Sequence, residues 1–205
     1  MLWVALHLPA LSLESWAATR TEADAHRPGA LLHEHQVVQA DAAALALGVR
    51  PGMRRATALA LAPNLLLGAA DAQRDARALR AVAHVALGFS PSVTWAPPAV
   101  PGSTRTAVVA DGSTSPVIAP APTPAQVGVR LEVQSCLRYF GGLPALLARL
   151  REALAPLGHR VQIATAPTAL GAALLAGWRD GLALGPHSTD REALQQLLDA
   201  VPLSL

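Results

Sequence analysis

Val127-Gly128-Val129-Arg130-Leu131-Glu132-Val133 is the clearest alternation in the chain. Val127, Val129, Leu131 and Val133 fall on one side, with Gly128, Arg130, Glu132 and Gln134 on the other, the period of a half-buried strand. Downstream, Gly141-Gly142 leads into an amphipathic helix over Leu143–Leu157, with Leu143, Leu146, Leu147, Leu150 and Leu154 on its apolar side and Gly158 as the stop. Val161–Ala164 reads as a further strand, Pro167 opens a helix to about Trp178, and a last helix begins near Thr189. Upstream, residues 96–126 are rich in Pro, Ser and Thr, with one β-like run at Thr106–Ala110, and read as a variable loop or small hairpin insertion. Ser92–Trp95 is a strand. Asp71–Leu87 is an amphipathic helix with Leu79, Val82, Ala83 and Ala86 on one stripe and Arg74, Arg77 and Arg80 on the other. The first strand, Trp3–Leu8, ends at Pro9.

Residues 11–70 form a different unit. It offers a helix near Leu13–Thr19 and a hairpin from Ala30 to Gln39. Asp41 caps a short helix through Leu47, stopped by Gly48. Arg50-Pro51-Gly52 is a turn, and a helix over Arg55–Leu61 ends at Ala62-Pro63. With that unit set aside, the order is βαββαβ. The expectation is therefore an α+β, ferredoxin-like sheet with two helices on one face and a helical insertion after the first strand.

Composition narrows the classes. The chain has 205 residues, 52% of them hydrophobic, enough for one core or two small lobes. Mean hydropathy is +0.33, yet the uncharged stretches Val161–Trp178 and Ala81–Thr104 are broken by polar residues, prolines or glycines, which excludes a membrane span. No secretory signal opens the chain, so a cytoplasmic location is expected. Cys136 is the single cysteine, and all 16 basic residues are arginine, against 14 acidic ones. Lysine chemistry is thus excluded, and the scattered arginines leave no concentrated nucleic-acid footprint.

Three motifs in order carry a resemblance. The segment from Leu47 to Pro63 resembles the fingers of Y-family (DinB-like) DNA polymerases, with its Gly48-Val49 turn, Gly52-Met53 pair and Ala62-Pro63 helix end. Leu131 to Gly142 resembles the family's palm strand and turn, and Ile163 to Ala176 resembles the start of the thumb. The resemblance implies a polymerase palm at 1–10 and 71–165, fingers at 11–70 and the start of a helical thumb at 166–205. Leu6-His7-Leu8-Pro9, with Leu13-Glu14 soon after, is similar to the opening of the ImuB-type branch of that family. That branch is regarded as non-catalytic. The resemblance implies a scaffold subunit of a bacterial mutasome, supporting translesion synthesis and damage-induced mutagenesis with an ImuA-like protein, the sliding clamp, a replicative-type error-prone polymerase and DNA. It also implies that such proteins continue past the point matching Leu205.

Two-metal phosphoryl transfer needs carboxylates converging on two magnesium ions about 4 Å apart. By the resemblance, the acidic positions of active relatives hold His7, Pro9, Val127 and Gly128 here, and those that grip the triphosphate hold Ala42, Leu45 and Ala169. No catalytic residue, metal or cofactor is therefore expected. A displaced metal site would have to draw on Glu14, Asp111 and Glu132. Arg50, Arg54 and Arg55 are candidate nucleic-acid or partner contacts, the last two equally a solvated helix end. His33-Glu34-His35 reads as a hairpin tip or a partial metal site, and Gly141-Gly142 as a tight turn or phosphate cradle. Cys136, Trp95 and Trp178 are expected to pack in the core. Two other readings stand beside the scaffold: a working polymerase with displaced ligands, and a simple DNA-binding module.

Overall fold

In the computed structural model, residues 1–96, 105–108, 114–117, 128–183 and 189–202 are described. Along the chain run β1 (Trp3–His7), α1 (Leu11–Ala17), β2 (Gly29–His33), β3 (Gln36–Ala40), α2 (Ala42–Ala46), α3 (Arg55–Leu61), β4 (Leu66–Ala69) and α4 (Ala72–Leu87). They are followed by β5 (Val93–Ala96), β6 (Arg105–Val108), β7 (Thr114–Val117), β8 (Gly128–Glu132), α5 (Leu137–Phe140), α6 (Leu143–Leu154), β9 (Gln162–Ala166), α7 (Ala169–Trp178) and α8 (Arg191–Asp199).

The larger sheet has the order β5-β8-β1-β9, every neighbouring pair antiparallel. With α4 and α6 as crossovers this is the split βαβ arrangement. Alternation along each strand assigns the faces. Val4, Leu6, Val129, Leu131 and Ile163 meet Leu79 and Val82 of α4 and Leu146, Leu150 and Leu154 of α6 in the main core. On the opposite face Ala5, Ala164 and Ala166 pack against Ala172, Leu175 and Ala176 of α7, with Leu194 and Leu197 of α8 behind. Small residues on both sides let α7 lie close to the sheet.

The unit after β1 is less helical than the sequence pattern implies. It holds a three-stranded sheet of order β3-β2-β4, in which β2 and β4 run parallel. No local pattern marks the strand Leu66–Ala69, because its leucines fit either state and its partner β2 lies more than thirty residues back. Glu34 and His35, at φ 47° and 69°, make the β2–β3 turn. Asp41 caps α2 by accepting from the Ala44 N–H at 2.8 Å, and Asp71 caps α4 through the Gln73 and Arg74 N–H groups. Ala30, Val37, Ala44, Val49 and Ala58 form this unit's own core.

Trp16 of α1 lies across the small sheet. A Cβ on Gly68 would stand 2.3 Å from its indole, and one on Gly29 2.8 Å, so both positions need glycine for this approach. On the same helix, Ser12 and Ser15 donate to the buried Asp75 of α4, which also faces Arg74 at 3.9 Å. Arg74 therefore packs between helices and leaves the solvent stripe expected for it. β6 and β7 pair as a hairpin, one of the two forms read for that insertion. Among the described residues, no helix is long and apolar enough to cross a membrane.

Candidate functional site

The end of β1 and the start of β8 build the site. Leu6 faces Val129 in the ladder, which sets Gly128 beside His7. Gly128 has φ +154°, and a Cβ there would stand 2.4 Å from the Leu6 carbonyl oxygen and 3.6 Å from His7 Cα. Two positions that the sequence reading pairs are thus neighbours, and one of them has no room for any side chain. His7 is half-buried and Pro9 exposed. Val127, like Asp111, lies outside the described residues.

The His7 face carries a basic and an amide group as well as Glu132, which stands opposite Trp3. Residues directly opposite each other on antiparallel strands share a face. Arg130 opposite Ala5, and Gln162 opposite His7, therefore stand on the His7 side. Arg130 Nε and Gln162 Oε1 are both buried and without a hydrogen-bond partner among the described residues. Sequence reasoning passed over both residues, although the outward position of Arg130 in the alternating strand was a usable signal.

Glu132 stands at the other end of β1, opposite Trp3, with Oε1 accepting from the Gln134 N–H at 3.1 Å. Glu14 takes the Arg160 N–H at 3.1 Å and His159 Nδ1 at 3.3 Å, just before β9 pairs with His7. These two carboxylates thus serve opposite ends of the sheet. Among the described residues, no group of three or more His, Cys, Asp or Glu is placed to hold a metal.

Ala42 and Leu45 are exposed on α2, and Ala169 starts α7 half-buried. None has a side-chain donor for a phosphate. Arg50 is committed locally: its guanidinium donates to the Leu45 carbonyl and, at 3.0 Å, to that of Val49, closing the end of α2. Arg54 and Arg55 are exposed and border an open groove of about 700 Å³ with His35, Gln36 and Leu59. The hairpin tip and the arginine pair, separate in the sequence reading, therefore share one surface.

Trp95 departs from expectation: it is 37% exposed on the β5 edge, with the Arg80 guanidinium 5.8 Å from its ring centroid. Trp178 and Cys136 are partly buried against the two cores.

No known family model matches the chain, and no curated protein matches it. Solved structures do. An insertion ternary complex of Dbh DNA polymerase superposes with TM-score 0.63 at 12% identity, over 100% of this chain and 55% of that one. A post-insertion binary complex of Dbh gives 0.62 at 14%, covering 98% and 53%. DinB from Sulfolobus solfataricus gives 0.55 at 13%, covering 86% and 45%.

The fold is Y-family polymerase-like.

At such identities the likeness concerns the fold alone, and the chain spans about half the length of these structures.

Proposed function

We propose that this chain is the non-catalytic, polymerase-like scaffold of a bacterial mutasome. In this reading residues 1–10 and 71–165 are the palm, 11–70 the fingers and 166–205 the start of the thumb. It supports translesion synthesis by holding an ImuA-like protein, the sliding clamp and a replicative-type error-prone polymerase in register near DNA.

One observation carries the loss of chemistry. Gly128 stands where active relatives are read to place a metal-binding carboxylate, and the Leu6 carbonyl oxygen, 2.4 Å from its would-be Cβ, fills the space that side chain needs. The local charge supports the same reading. Arg130, nearer to His7 than Glu132 is on the same face, stands where two divalent cations would have to assemble, and like charges repel strongly in a partly buried site. Ala42, Leu45 and Ala169 leave the triphosphate without side-chain ligands, so nucleotides are expected to bind no better than millimolar, about −4 kcal/mol.

Primer extension with magnesium or manganese tests this, on damaged and undamaged templates beside an active Y-family enzyme. No incorporation is expected, while the chain co-purifies with the ImuA-like partner and the clamp. Incorporation by the unmodified chain, with contaminating polymerase excluded, would overturn the reading.

A further inference from the structure

Phe89, Tyr139 and Phe140 are every phenylalanine and tyrosine in the chain, and all three meet at one place. Phe89 and Phe140 stack with centroids 5.3 Å apart, and Tyr139 stands edge-on to Phe140 at 5.0 Å. Phe89 and Phe140 pack, partly buried, against the main core. Tyr139 is 83% exposed and Leu87, at the end of α4, is 53% exposed. Between them, Phe89, Pro91, Cys136 and Phe140 border a groove of about 340 Å³.

Among the described residues, no carboxylate lines this groove. Arg149 lies beside it, exposed and in no ion pair among the described residues. The Arg149 guanidinium lies 6.0 Å from the Phe140 ring centroid, so it is held at the rim. Aromatic rings beside arginine are the composition of binding hot spots.

We propose that this groove docks a short segment of a partner protein, an aromatic or aliphatic side chain beside a carboxylate. The apolar anchor fills the space between Leu87 and Tyr139, and a neighbouring carboxylate meets Arg149. The groove opens past the end of β8, whose five residues span about 16 Å from Gly128. It is therefore separate from the His7–Gly128 site, and its use does not depend on whether that site is inactive. An arginine beside an apolar groove suits an acidic peptide better than a nucleic-acid backbone, which calls for a basic stripe.

Panning a phage-displayed random-peptide library on the chain tests this, followed by anisotropy titration of a fluorescent copy of the selected peptide. Selected peptides should combine Leu, Phe or Trp with Asp and Glu. Tyr139→Ala should weaken binding about tenfold or more, Tyr139→Phe should retain it, and Arg149→Glu should lower it in a salt-dependent way. Tyr139 is exposed, so these variants should keep the parent's Tm. Selected peptides that are basic, or whose binding ignores Tyr139, would overturn the proposal. So would a Tyr139→Ala variant whose main loss is binding of oligo-dT, or dissociation of a dimer in sedimentation velocity.

Discussion

Gly128 and the Leu6 carbonyl oxygen illustrate what one residue decides here. A backbone at φ +154° with an oxygen 2.4 Å from the would-be Cβ admits only glycine. Gly128→Ala should cost about 1–3 kcal/mol in urea unfolding. Gly52→Ala is the control: its φ is +87°, but its Cβ would meet nothing within 4 Å, so it should cost less. The same geometry bears on restoring acids at positions 7, 9, 127 and 128 in one variant. That protein should be destabilised and still fail to extend a primer, since the triphosphate positions remain without ligands. Robust extension by it would show that Leu6 and Gly128 move apart at little cost.

At the scale of elements, α6 owes its place to a stripe of leucines on one face, of which Leu146 and Leu150 are fully buried. Leu150→Ala should cost about 2–5 kcal/mol, against less than about 0.5 kcal/mol for the exposed Arg149→Ala. The docking of α1 depends on absent side chains instead. Gly68→Ala should drive Trp16 off the small sheet, and the cost should largely vanish in a Trp16→Ala background. A double-mutant cycle measures that coupling. Simple additivity would mean that Trp16 is not held by this contact.

Over the whole molecule, distant segments are tied by a few polar contacts. Glu14 joins α1 to the loop before β9, and Asp180 joins the end of α7 to α6 and β9. Partial burial pushes the Asp180 carboxyl up, but the Ile163 N–H and the Arg151 guanidinium outweigh it and hold it below the usual carboxylate value. A depressed folded pKa contributes stability that is present above the unfolded value near 3.8 and lost as pH falls through the folded one. The parent should therefore lose more stability than Asp180→Asn as pH falls below about 4, read as Tm against pH. Because Asp180 and Arg151 are nearly half exposed, solvent screening keeps the effect small.

Local chemistry was enough for much of this protein. The period of the apolar residues marks α4, α6 and β8, and Asp41 and Asp71 mark helix starts, because caps and amphipathic faces depend on neighbours within a turn or two. Residue order likewise implied the βαββαβ plan, and the resemblance pointed to His7 and Gly128. Long-range packing decided the rest. The parallel pairing of β4 with β2, the Leu6–Gly128 approach, Arg130 on the His7 face and the gathering of Phe89, Tyr139 and Phe140 all join residues far apart in sequence. No local pattern encodes such contacts, since each depends on how whole elements pack once their apolar faces are buried.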